Sequence, residues 1–322
     1  MYNTFSLSTA TDDFVTIQPS QPQMAQPARS ADSGDGKPDL IKFFHDPSWT
    51  IPWSHPEFTG SDMERHKRWR QQPWFKDKQR SSIQLLRRAS AKRWPWGYFI
   101  YRTVYTPESD QVWSACVEKL DRYVHWEIDH LDGDRYTKAE DHGFPEKLVH
   151  EGYRNVIGEN KERWDGASIK QIREDFKSLV ASQGAEIGDV VPRYAVCLVI
   201  DHHCLDSIMR AFEDPEESMH GGGPGKGFVL MIDPELAPGH RKEGYFGFMR
   251  VEINELFWLT VELNSSFSMS DRCLRVQPGK IPVYDGGLGY AVDDPSWTGP
   301  RPRTPITHRS VCKGDCREHS EM

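Results

Sequence analysis

Apolar residues are well patterned from about residue 94 to 265, and poorly patterned on either side. "WGYFIYRTVY" (96–105) is dense in aromatic and β-branched residues, which suit a pleated, half-buried strand. Thr106-Pro107-Glu108 then supplies an N-cap, a proline at the first helical position and an early acid. Val112, Trp113, Cys116, Val117, Leu120, Tyr123, Val124 and Ile128 follow at helical spacing, so a strand running into a helix of about five turns is predicted. Residues 131–164 are charged and Gly-bearing, with one short helix expected around Glu146 to Glu151. Ser168-Ile-Lys-Gln171 is a capping-box pattern, and Ile169, Ile172, Phe176, Leu179 and Val180 share one helical face.

"RYAVCLVI" (193–200) has the composition of a buried strand, and a helix is predicted to follow it. "FVLMID" (228–233) and "YFGFMRVEI" (245–253) predict two more strands. In the second, Phe246, Phe248 and Arg250 alternate with Tyr245, Gly247, Met249, Val251 and Ile253. A last apolar helix spans Glu255 to Leu263. Mixed strands and helices without strict alternation predict an α+β domain, wired as a ferredoxin-like (split βαβ) mixed sheet with flanking helices.

Composition adds the ends of the chain. Mean hydropathy is −0.68, low for a chain that folds throughout. Residues 1–40 are rich in Ser, Thr, Gln and Pro and predict a disordered tail; 41–93 read as a Pro/aromatic arm and a basic segment. The core domain is expected over 94–276, and 277–322 reads as an irregular Gly/Pro-rich tail. No apolar run approaches the roughly 20 residues of a membrane span, and the N-terminus lacks the basic start and apolar stretch of a secretory signal. The expectation is an intracellular, cytoplasmic protein with reduced cysteines and no membrane association, a nuclear location remaining open.

Several motifs suggest chemistry. Asp201-His202-His203-Cys204 spells the signature of the DHHC palmitoyltransferases, but no CxxC pair or membrane span accompanies it. Locally, Asp201 is placed to cap a helix, and Cys204, Leu205, Ile208, Met209 and Phe212 share its inner face, which makes Cys204 a buried filler. "HGGGPGKG" (220–227) fails the phosphate-loop pattern at both its first glycine and its Ser/Thr position, so it reads as a flexible connection. His308, Cys312, Cys316 and His319 lack a surrounding core and read as solvated. No metal site and no cofactor are expected.

Charge is distributed unevenly. The net charge is −8, yet residues 65–93 alone carry +10, which leaves −18 on the rest. Arg65, Lys67, Arg68, Arg70, Arg87 and Arg88 interleave with Trp69 and Trp74. Cations that neutralise phosphates and rings that stack on unpaired bases are the composition of an RNA-contacting surface. The plainer alternative, preferred here, is an amphipathic helix pairing with the chain's own acidic surface.

Three blocks, "WGYFIYRTVY" (96–105), "DGAS" (165–168) and "RYAVCLVID" (193–201), resemble a group of uncharacterised proteins common in filamentous ascomycetes. Members of that group usually carry an acidic pair where this chain has Glu159-Asn160. The resemblance covers roughly residues 94–265 and implies a fungal, intracellular, lineage-restricted protein, associated with specialised metabolism. It implies no activity.

Three functions compete. The first is an accessory protein that binds a protein partner or small molecule. The second is a biosynthetic enzyme without a standard motif, using Tyr101, Arg102, Asp201 and Glu252 near strand ends. The third is an RNA- or tRNA-dependent activity using residues 65–96. A concave pocket holding Arg102 with Asp201 or Glu252 would favour the enzyme, whereas Arg102 closed in a structural ion pair would remove it.

Overall fold

The computed structural model describes residues 60–76, 81–88, 96–136, 144–182, 186–187, 192–220, 226–235, 244–263 and 267–294, all within one unit spanning Lys42–Met322. The expected N-terminal tail, most of the Pro/aromatic arm and the His308–His319 cluster lie outside the described residues. Two short helices, α1 (Asp62–Trp69) and α2 (Ser81–Arg88), precede the first strand, β1 (Phe99–Arg102). The long helix α3 (Pro107–Tyr136) and α4 (Phe144–Gly152) lead to β2 (Val156–Gly158). Then come α5 (Lys161–Trp164), α6 (Ile169–Ser182), α7 (Pro192–Ala195), β3 (Cys197–Ile200), α8 (His202–Arg210) and α9 (Pro215–His220). A hairpin of β4 (Phe228–Ile232) and β5 (Phe248–Glu252) is followed by α10 (Leu256–Leu263), α11 (Met269–Arg272), β6 (Lys280–Tyr284) and β7 (Tyr290–Asp293).

The strands form one seven-stranded mixed sheet, β2-β1-β3-β4-β5-β6-β7. β2, β1 and β3 are parallel; β4 and β5 run antiparallel in turn; β6 is parallel to β5 and β7 antiparallel to it. Mixed α and β architecture is as expected, but this strand order does not reproduce a split-βαβ sheet. β2, whose three residues sit in a charged stretch without periodicity, pairs beside β1 and makes a parallel crossover unit. Residues 277–294, expected to be irregular, contribute β6 and β7. Ile281 and Val283 point into the structure despite the intervening Pro282, and the Gly-rich segment 286–289 is the turn between the strands.

Alternation along β1 divides the core. Phe99 meets Phe176 of α6 (centroids 5.7 Å apart) and Tyr101 meets Trp164 of α5 (5.1 Å) on one face. On the other, the Tyr98 hydroxyl reaches the Leu256 carbonyl (3.2 Å) and Thr260 Oγ1 (2.6 Å) of α10. Arg102 turns the same way, toward α3. Helices α3, α8 and α10 thus cover one face of the sheet, and α6 covers part of the other.

The local signals hold at each helix start. Thr106 Oγ1 accepts the Ser109 N–H (3.1 Å), and Ser168 and Gln171 exchange the reciprocal bonds of a capping box. What sequence spacing does not reveal is how α3 fastens its neighbours through buried charge. Fully buried Glu127 accepts the N–H groups of Phe257 and Trp258, both at 2.8 Å, at the open first turn of α10. Buried Lys119 donates to the Ala211 carbonyl just past α8 (2.6 Å) and pairs with Glu213 (2.8 Å). His125 contacts His150 of α4, whose Nε2 bonds Asp129 (2.7 Å). Glu127 and Lys119 sit where helix dipoles reward them, negative at an N-terminus and positive at a C-terminus.

Glu127→Ala leaves two buried N–H groups without acceptors. It is expected to lower stability by about 3 kcal/mol, given the cost of unmade bonds to a charged group. Urea unfolding followed by tryptophan fluorescence measures this, and a loss below about 1 kcal/mol would show that the bonds are replaced by water.

Candidate ligand-binding site

On the α6 side of the sheet, the residues of β3 to β6 that face away from α3 floor a cavity of about 380 Å³. Its floor is Val199, Leu230, Ile232, Phe248 and Ile281, with Arg250 among them. Ala167, Ser168, Ile169 and Ile172, from the start of α6, form one wall. Thr103, Asp201 and His203 stand where β1 and β3 end, and Asp294 stands beyond β7. β1 lies between β2 and β3 in the sheet, so its chain leaves toward one neighbour and returns beside the other. The C-terminal ends of strands at such a reversal are the usual place for sites in open sheets.

Backbone bonding brings the three sequence blocks together here. The Thr103 N–H donates to the Ile200 carbonyl (3.1 Å), and the Gly166 N–H donates to the Thr103 carbonyl (3.0 Å). Gly166 has φ +64°, a left-handed turn that hands the chain from α5 to α6. Asp201 is extended, its Oδ1 accepting the Cys204 N–H at 2.8 Å, so it caps α8 as the spacing predicts. Asp201 also borders the cavity. Cys204 is buried behind the cap, and burial, reinforced by Asp201, pushes its thiol well above the ordinary range. His202 and His203 are exposed, and of the two only His203 borders the cavity.

Of the four residues named for catalysis, the structure puts only Asp201 at this cavity. Tyr101 is buried against Trp164, and burial drives its hydroxyl to a higher pKa. Arg102 is buried between the rings of Tyr105 and Trp113 (4.6 and 4.7 Å to centroids). It donates to the Val104 carbonyl (2.8 Å) and Ser109 Oγ (3.1 Å), and pairs with Asp110. The structural ion pair exists, with Asp110 as the partner, and it leaves Arg102 closed away from the cavity. Glu252 lies beyond the cavity floor, 3.0 Å from Lys226 Nζ, and accepts the Tyr290 hydroxyl at 3.1 Å.

In the basic segment the described aromatic rings are buried. Trp69 and Trp74 are buried, packing on each other at 5.9 Å, and the Arg65 guanidinium lies 5.2 Å from the Trp69 ring centroid. Arg87 covers Phe75 (4.8 Å) and donates to its carbonyl (2.9 Å). Lys67 and Arg68 on α1 and Arg70 just past it are exposed, while α2 buries Ile83, Leu85 and Leu86. Arg88 ends α2, but its side chain lies outside the described residues. The rings that would stack on bases are therefore core residues.

Arg250, Thr103 and Ser168 at the cavity were not singled out from sequence. The signal was present for Arg250: a cation between Phe248 and Glu252 on one face of the alternating run 245–253. Among the described residues no group of three or more His, Cys, Asp or Glu side chains could hold a metal ion, and no helix is long and apolar enough to cross a membrane. Comparison with known proteins finds no matching family model, no matching curated protein and no matching solved structure.

Beside Glu252, Glu255 is mostly buried. Burial is the larger cause, and repulsion from Glu252 the next, of a pKa raised to about 7, against the opposing pull of Lys226. The folded chain thus holds this proton more tightly than the unfolded chain does. The associated stability is complete below about pH 4.5 and is lost as pH rises through about 7. Glu255→Gln, which preserves the acceptor for the Asn254 amide, is expected to flatten the fall in stability between those pH values. It should also stabilise the chain at pH 8 by a few kcal/mol. Denaturant midpoints across that range are the measurement; parallel profiles for the two proteins would refute the assignment.

Proposed function

We propose that this chain is a small-molecule-binding protein whose ligand occupies the cavity over β3 to β6. The observation that carries the reading is the cavity's construction: about 380 Å³ with an apolar floor, and a few polar groups gathered where two parallel strands end. Drug-sized ligands occupy pockets of roughly 300–1,000 Å³ built this way. The fastening of the opposite sheet face by α3 supports it, because a rigid floor costs little ordering when a ligand binds.

Binding is favoured over catalysis by the state of the nucleophiles nearby. The Ser168 hydroxyl is engaged by Gln171 in the capping box (2.9 Å), and Cys204 faces away behind its cap. An RNA-dependent role draws no support from Trp69 and Trp74, whose rings are enclosed.

The test is titration of the full chain with the neutral fluorophore N-phenyl-1-naphthylamine. Saturable binding near one equivalent is expected. Ala167→Trp, which adds bulk at the half-buried wall of the cavity, should abolish it while far-UV circular dichroism stays unchanged. Absence of saturable binding, or binding indifferent to Ala167→Trp, would refute the reading.

A further inference from the structure

Arg250 lies midway along β5 on the cavity floor and is only 9% exposed. Among the described residues its guanidinium has no hydrogen-bond or ion-pair partner; what it touches is the Phe228 ring, 4.2 Å from the centroid. Other buried arginines have acceptors for part of their guanidinium. Arg102 has two acceptors and Asp110, and Arg193 donates to the carbonyls of Trp96 (3.3 Å) and Arg154 (2.5 Å). A ring face attracts the cation but accepts none of its N–H groups in the plane of the fork. The fold keeps this cation in a position where its own side chains do not neutralise it.

Register locates the charge. Val199 pairs with Leu230 and Leu230 with Arg250, so the three form one row across the floor. Continuing the β3–β4 register by two residues sets Phe228 level with Asp201. The guanidinium, stacked on Phe228, therefore belongs to the end of the cavity where Thr103, Asp201 and His203 stand, and the apolar floor extends away from it. Asp201 borders the same end without pairing with Arg250, and Asp294 borders the cavity elsewhere.

We propose that Arg250 is the counter-ion for a carboxylate carried on an apolar ligand, the acid group meeting the guanidinium fork and the body covering Leu230, Ile232, Phe248 and Ile281. A planar fork matches a carboxylate with two parallel hydrogen bonds, which a ring face cannot supply. This rests on the reading of the cavity as a ligand site. The carboxylate can belong to a simple acid, or to an amino acid whose ammonium group faces Asp201.

The experiment displaces N-phenyl-1-naphthylamine from the full chain at neutral pH with four ligands sharing one body: decanoate, decanol, decylamine and 2-aminodecanoate. Decanoate or 2-aminodecanoate is expected to compete at concentrations at least about tenfold below decanol, the discrimination typical of a charge-assisted pair. In Arg250→Met that preference should vanish while decanol competes as before, and in Arg250→Lys part of it should remain, since an ammonium is a point charge without the fork. If Arg250→Met does not fold, the wild-type ratio and its reduction in Arg250→Lys decide. 2-Aminodecanoate ahead of decanoate assigns the site to amino acids, and the reverse order to simple acids. Decanol equal to both acids, or decylamine ahead of them, overturns the counter-ion assignment and leaves the ligand cavity standing. Reporter binding that Ala167→Trp abolishes but that no ligand competes away overturns the counter-ion assignment alone, and reporter binding indifferent to Ala167→Trp overturns both.

Discussion

A carboxylate on one helix closes the open end of another: Glu127 of α3 accepts the first free N–H groups of α10. Full burial of Glu127 makes these bonds obligatory, because the charge has no water to fall back on. α10 must therefore start where α3 passes, and this fixes the Tyr98 hydroxyl, which reaches Leu256 and Thr260, and with it the strand that carries Tyr98. Lys119, two turns earlier on α3, does the corresponding service at the other end of α8. One helix thus holds α8 and α10 to one sheet face by polar contacts of fixed geometry, in addition to the apolar packing of Leu120, Val124 and Ile128.

The junction at Thr103 belongs to the same scheme. Its N–H reaches the end of β3 and its carbonyl receives the turn that starts α6. Arg102, one residue earlier, ties the same strand end to the first turn of α3 through Asp110. Adjacent residues consequently hold opposite sides of the sheet, and the polar rim of the cavity is a by-product of how β1 ends.

Much of this was legible in the chain because it rests on local physics. Thr106-Pro107, Ser168–Gln171 and Asp201 announce their helices because each capping bond spans only three residues. The alternation of Phe248, Met249, Arg250 and Val251 announces two faces. Long-range pairing was not legible. β2 and β7 are short, Val156–Gly158 and Tyr290–Asp293, and their identity as strands comes from the neighbours they bond and not from their own pattern. Arg102 and Arg250 illustrate the limit at the site. Both are cations in apolar strands, and nothing in their flanking residues says which is surrounded by acceptors and which is not. The difference lies in parity: Arg102 points toward α3, whose Ser109 and Asp110 await it, and Arg250 points to the uncovered side.

That parity has a consequence for how the protein can change over time. Along β4, Val229 and Met231 lie under the helices and Leu230 and Ile232 line the cavity; along β5, Met249 and Val251 alternate with Phe248 and Arg250 in the same manner. Every second codon therefore answers to the stability of the fold and the intervening ones to the shape of the hollow. Substitutions at the second set can remodel what the hollow accepts while the helix-covered set stays untouched. A sheet whose alternate residues serve different faces separates the inheritance of the scaffold from the inheritance of its selectivity.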